Sequence, residues 1–134
     1  MKTKSYLTSD DVKKILAGAE AHALQNNWAV CISVVDDGGH QLGFLRMDEC
    51  AQASIKISQG KAYSAAVRRR TTKQDEDLIA NGRIAALSMP DITFLEGGVP
   101  VLHNGDVIGA VGVSGVKSSD DAAIATAGIN GLTA

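Results

Sequence analysis

Three histidines, two cysteines and thirteen lysines and arginines are the groups in this chain best able to hold a metal or an anion. His22, His40 and His103 show neither HxxxH nor HxH spacing, so a dedicated zinc site has no support. His103 directly precedes Asn104-Gly105, a turn pair, and is available there as a metal ligand. Its plainer reading is a polar residue flanking a turn, and His40, after Gly39, reads the same way. Arg68-Arg69-Arg70 ends a helical stretch, where cations complement the negative end of the dipole. The alternative is a clamp for carboxylates. Lys61 falls on one helical stripe with Ile57 and Ser64. Its stem should pack, and its ammonium then needs a partner: Asp36, Asp48 or the carboxylate of a ligand.

Several chemistries find no footing. Val113-Ser114-Gly115 is not a GxSxG elbow. No phosphate loop or dinucleotide fingerprint occurs. The carboxylate pairs Asp36-Asp37 and Asp120-Asp121 sit at a turn and a helix start, where structural duties account for them. Gly97-Gly98 and Ser114-Gly115 can form anion-binding nests, although tight turns and close helix packing explain them equally well. No residue set points to a particular catalytic step.

The elements that position these groups follow from periodicity and punctuation. Thr8-Ser9-Asp10-Asp11 starts a helix whose apolar stripe is Val12, Ile15, Leu16, Ala19 and Ala23, ending near Asn26-Asn27. His22 lies at the edge of that stripe, beside Ile15. Trp28 to Val35 is apolar on both sides and predicts a central strand covered on both faces. Asp36-Asp37-Gly38-Gly39 turns the chain into a second strand, Gln41 to Met47. A helix runs from Asp48 to about Arg70, with an internal Gly60 that close packing or close ligand approach would justify. Thr71 restarts a short helix that ends at Asn81-Gly82, and Ile92–Leu95 reads as a strand. A hairpin about Asn104-Gly105 follows, the pair suited to a type I′ turn. Gly109 and Gly112 leave its second strand bare enough for another backbone, a helix or a flat ligand to approach closely. Ser118-Ser119-Asp120 can cap a last helix that reaches Asn130. The expectation is one α+β domain over residues 1–134, with about five antiparallel strands flanked by helices.

Composition narrows the class further. A net charge of −2 argues against a nucleic-acid partner. No apolar stretch approaches the ~20 residues of a membrane span. The basic start, Met1 to Tyr6, lacks an apolar signal core, so a cytoplasmic location is expected. Cys31 reads as a small core residue, and a disulfide with Cys50 is not expected in a reducing compartment. With aromatic residues at only 4%, the core must come from Val, Ile, Leu and Ala, which bury little area each and favour oligomerisation.

An ordered set of motifs carries a family resemblance. Val34-Val35-Asp36-Asp37-Gly38-Gly39-His40 is followed by Arg46-Met47-Asp48 and by Lys61-Ala62-Tyr63-Ser64-Ala65. Then come Gly97-Gly98-Val99-Pro100 through Gly105, Ile108 to Gly115, and Asp120-Asp121. Together these resemble the GlcG/HbpS family, a heme-binding domain type also found at the C-terminus of PduO-type cobalamin adenosyltransferases. The resemblance covers almost the whole chain. It implies a profilin-like α/β/α fold, a homo-oligomer and non-covalent heme binding, with heme degradation attributed to some members. CxxCH is absent, so covalent attachment is excluded. Some heme-binding relatives use an early helical histidine, which makes His22 the first-choice iron ligand, against the plainer reading of a half-buried structural imidazole. Lys61 or Arg68 to Arg70 would then meet the propionates. His103, Met47 and Tyr63 are further axial candidates, the last two having plain packing roles as well. Other members are encoded with glycolate, diol or citrate utilisation genes, so the alternative is an accessory protein that binds a small hydroxy acid or diol without heme.

Overall fold

A computed structural model describes residues 1–133. Helix α1 (Ser9–Gln25) is opened by Thr8, whose hydroxyl accepts from the Asp11 amide while the Asp11 carboxylate accepts from the Thr8 amide. This reciprocal pair satisfies two donors that a helix start leaves unpaired. Strands β1 (Cys31–Asp36) and β2 (Gln41–Arg46), helices α2 (Ala53–Arg68) and α3 (Thr72–Ala80), strands β3 (Gly98–His103) and β4 (Asp106–Ser114), and helix α4 (Ser118–Asn130) follow in order. Short 3-10 turns occupy Ile84–Ser88 and Gly131–Thr133.

The sheet has four strands in the order β2-β1-β4-β3, and every neighbouring pair is antiparallel. The expected fifth strand, Ile92–Leu95, does not form. That segment crosses α2 instead: the Thr93 amide donates to Ser64 Oγ at 2.8 Å, and the Thr93 side chain fills the space a Cβ on Gly60 would need. Gly60 is thus accounted for by packing. The α2 start also differs from expectation, because Asp48–Gln52 is a turn in which Glu49 takes a left-handed φ of 70°. At α4 the cap is Lys117, with no side-chain hydrogen bond, and Ser118 already lies inside the helix.

Alternation divides the sheet into two faces. Ile32, Val34, Val111 and Val113 pack with Val12, Ile15 and Ala19 of α1 and Ile124 of α4. Val35 and Ala110 face the other way, onto Ala62, Ala65 and Ala66 of α2. This is the expected α/β/α layering, and β1 is covered on both faces as its sequence requires. At the hairpin tip Asn104 and Gly105 have φ of 51° and 83°, the two positive values of a type I′ turn. Gly98 and Gly112 lie under α2, where an added Cβ would strike the backbones of Ser58, Lys61 and Ala62. The bare strand therefore receives a helix backbone.

Candidate functional site

The cations are bound internally. Lys61, on α2, is 2% exposed, and its Nζ donates to Val113 O at 2.9 Å and to Asp121 Oδ2 at 3.1 Å. The Val116 amide donates to the other Asp121 oxygen at 3.1 Å. Asp121 stands in the first turn of α4, so this pair joins the two helical layers past the end of β4. Burial raises the Asp121 carboxyl above the ordinary carboxylate value, against the pull of Lys61 and the Val116 amide. Neither expected partner holds Lys61, since Asp36 instead accepts from the amides of Gly38 and His40 and shapes the β1–β2 turn.

Arg68 is likewise occupied. Its Nε and Nη2 meet the two oxygens of Asp75 at 2.8 and 3.0 Å, and Nη1 approaches Met89 Sδ at 3.2 Å. Arg70 Nε stands 3.2 Å from the same carboxylate, which is fully buried. Bidentate hydrogen bonds to Asp75 raise the Arg68 guanidinium above its already high value. Sequence spacing gave little sign of this centre, because Asp75 lies beyond a helix break. Asp121 was still less visible, 60 residues from Lys61.

Of the glycine pairs, one amide is engaged by a side chain. The Gly98 amide donates to Thr72 Oγ1 at 2.8 Å, Gly97 O accepts from the Val113 amide, and Gly115 packs against Ala29 O. Met47 is buried in the core, and Tyr63 is half-buried against Gly39.

His22 stands apart from these. It is half-buried near the C-terminal end of α1, and its ring centroid lies 6.1 Å from that of Trp28 with the planes tilted by 52°. Among the described residues, only its backbone carbonyl has a hydrogen-bond partner outside the helix ladder, accepting from Asn26 Nδ2 at 2.9 Å. The opposite flank of α1 contributes Leu24 to a groove of about 390 Å³, walled also by Trp28, Leu45, Arg46 and Met47. Trp28 thus touches both the imidazole and the groove. Sequence reading missed Trp28 and Arg46 as site residues; their position before and after the first hairpin was the available signal.

His103 is exposed at the end of β3, with Asn104 Nδ2 3.4 Å from its Nε2. It borders a separate groove of about 430 Å³ with Tyr6, Leu7, Asp11, Ile108 and Leu132. Asp11 and His22 lie at opposite ends of α1, about 16 Å apart along its axis at the helical rise per residue. His22 and His103 of one chain therefore do not bracket one iron. His40 is exposed in the β1–β2 turn. Among the described residues no group of three or more His, Cys, Asp or Glu could hold a metal ion, and no helix is long and apolar enough to cross a membrane.

Comparisons with known proteins agree with this architecture. Protein GlcG of Escherichia coli (strain K12) is 51% identical over 114 residues, 85% of each chain. A crystal structure of a Streptomyces reticuli HbpS double mutant superposes with a TM-score of 0.88 at 28% identity, covering 97% of this chain and 89% of that one. The crystal structure of a PduOC:heme complex gives a TM-score of 0.85 at 24% identity over 95% of both chains, which is a likeness of fold. The family model described as "Haem degrading protein HbpS-like" matches residues 7–130, and the chain belongs to this HbpS-like family.

Proposed function

We propose that the chain binds heme non-covalently and that His22 is the iron ligand. The observation that carries this reading is the half-buried His22 imidazole, free of hydrogen bonds to the described residues and resting on Trp28. An axial ligand must present an uncommitted ring nitrogen beside an apolar surface; the His22 ring has no hydrogen-bond partner among the described residues, and Trp28 is the apolar surface next to it. The neighbouring groove, which His22 does not line, adds Leu24, Leu45 and Met47 beside the carboxylates of Glu20 and Asp48, and exposed Arg46 there is a cation able to meet a propionate. The family description and the heme complex of the PduOC structure support heme as the bound group. Lys61 and Arg68 are withdrawn as propionate partners, because each already holds a buried aspartate. Bound heme would supply iron-centred redox chemistry, while the protein's own residues hold, orient and shield it. The groove is open, so a second copy closing over it fits the homo-oligomer that the family resemblance implies.

The hydroxy-acid or diol reading is weaker. It relied on the Lys61 and Arg68 to Arg70 cations and on the Gly97-Gly98 and Ser114-Gly115 nests, and of these Lys61, Arg68 and the Gly98 amide have partners within the chain.

Hemin titration of the purified apo-protein in the Soret region tests the proposal. A saturable, near-stoichiometric band that is lost in His22→Ala is expected. Saturation that survives His22→Ala moves the ligand to His103, next in line. A broad shift without saturation removes heme altogether. Loss of the Soret band on adding peroxide or ascorbate with O₂, with release of iron, would extend the reading to heme breakdown.

A further inference from the structure

Cys31 and Cys50 bring their sulfur atoms to 3.6 Å, and both are buried free thiols. Cys31 is fixed in β1, paired with Arg46 of β2 on one side and Ser114 of β4 on the other. Cys50 comes from the turn between β2 and α2, where its amide donates to Met47 O at 3.2 Å and Glu49 takes the left-handed conformation. One thiol thus sits on a rigid ladder and the other on a short link. Neither the heme reading nor the cation pairs use them.

We propose that Cys31 and Cys50 form a redox site that hydrogen peroxide converts reversibly to an intrachain disulfide. A disulfide needs sulfurs at about 2.05 Å. The thiols must close by about 1.5 Å, and the β2–α2 link takes up that movement because the strand that carries Cys31 is paired along both edges. Cys50, at 7% exposure, is the more accessible of the two residues and the one placed to meet a small oxidant first, whereas Cys31 is fully enclosed. Burial and the neighbouring Cys50 push the Cys31 thiol up to about 12, so Cys31 stays protonated and does not start the reaction.

The chemistry balances in two steps. Cys50, as thiolate, attacks one peroxide oxygen; the O–O bond breaks, and the departing hydroxide takes up the thiol's proton as water, leaving a sulfenic acid. Cys31 sulfur then attacks Cys50 sulfur; the S–O bond breaks, and the hydroxide leaves with the Cys31 proton as a second water. Two thiols and one peroxide give one disulfide and two waters. The product tethers the link that follows Arg46 and Met47, which also wall the groove beside Trp28. Oxidation would therefore stiffen the rim of that groove, whatever occupies it.

The test uses the reduced, ligand-free chain exposed to hydrogen peroxide, quenched, denatured and alkylated with a maleimide. Peptide mapping keeps methionine oxidation apart from the cysteine result. The expected product is a Cys31–Cys50 linked peptide, lower by two hydrogens, that takes no label until a thiol reductant restores both sites. In Cys31→Ala, dimedone should capture a sulfenic acid at Cys50. In Cys50→Ala, thiol loss should slow by about tenfold or more. Two alkylatable thiols surviving peroxide in the unmodified chain, or crosslinks found only between chains, would overturn the proposal. So would a Cys50→Ala chain that oxidises as fast as the parent.

Discussion

On one face of the sheet, α2 presents Lys61 to Asp121 and Arg68 to Asp75, and every one of these charges has a partner. On the other face, α1 carries His22 with no described residue on its ring nitrogens. Both helices place a polar side chain at the margin of an apolar stripe, and in sequence both read as ligand candidates. They differ in what the tertiary fold brings to them. A buried ammonium cannot remain unpaired without a large desolvation cost, so the fold supplies a carboxylate. A half-buried imidazole pays little for standing open, so it can be left for a ligand. The contrast separates charges that hold the layers together from a group that is available.

The largest effect should come from breaking the Lys61 pair. Lys61→Met leaves Asp121 buried without its cation and should lower stability by about 3–5 kcal/mol, read by urea denaturation. Lys61→Met with Asp121→Asn removes both charges and should recover part of that loss, although Val113 O still loses its donor. Hemin affinity of the folded fraction should be unchanged. A Lys61→Met chain that keeps its stability and loses hemin would erase the distinction drawn here. Arg68→Ala follows, at about 2–3 kcal/mol, since Asp75 keeps only Arg70 nearby.

His22→Ala inverts the pattern. It should change stability by about 1 kcal/mol or less, because the ring is only half-buried. Hemin affinity should fall by about tenfold or more, with a shifted Soret band. A chain destabilised as strongly as Lys61→Met would make His22 a core residue.

Much of the fold was legible because its signals are local. The Thr8 cap, the two-faced apolar run into β1, the Asn104-Gly105 turn and the bare glycines of β4 all act over a few residues. Ile92–Leu95 failed because its apolar pattern suits any covered segment, and what places it is one distant bond, Thr93 to Ser64. The need of the cations for carboxylate partners was legible, but not which carboxylates. Lys61 was correctly expected to need a carboxylate, yet Asp121 lies 60 residues on and competes in sequence with every other aspartate. Arg68 read as a dipole-end cation or a carboxylate clamp, and Asp75 was not foreseen because it stands across the α2–α3 break, where helical spacing no longer predicts proximity. His22 was placed at the stripe edge by periodicity alone, but Trp28 joins it only once β1 folds back under α1.

The smallest effect sharpens the comparison through pH. The Asp11 carboxyl sits below its ordinary value, mainly because the Thr8 amide donates to it, with the Thr8 hydroxyl and Lys14 also contributing. The folded chain therefore holds this proton less tightly than the unfolded chain. Its contribution is complete above the unfolded value of 3.8 and is lost as pH falls through the folded one. Asp121 has the opposite sign: its carboxyl is raised, so the folded chain binds more protons just above 3.8, and its contribution falls as pH rises through that window. Asp11→Asn keeps an acceptor oxygen but removes the charge from the α1 start. At neutral pH it should cost only about 0.5 kcal/mol, since the group is solvent-screened. As pH falls below 3.8 and through the lowered Asp11 value, the variant and parent should converge in Tm. A gap that persists or widens in acid would mean that the cap depends on geometry and not on the Asp11 charge.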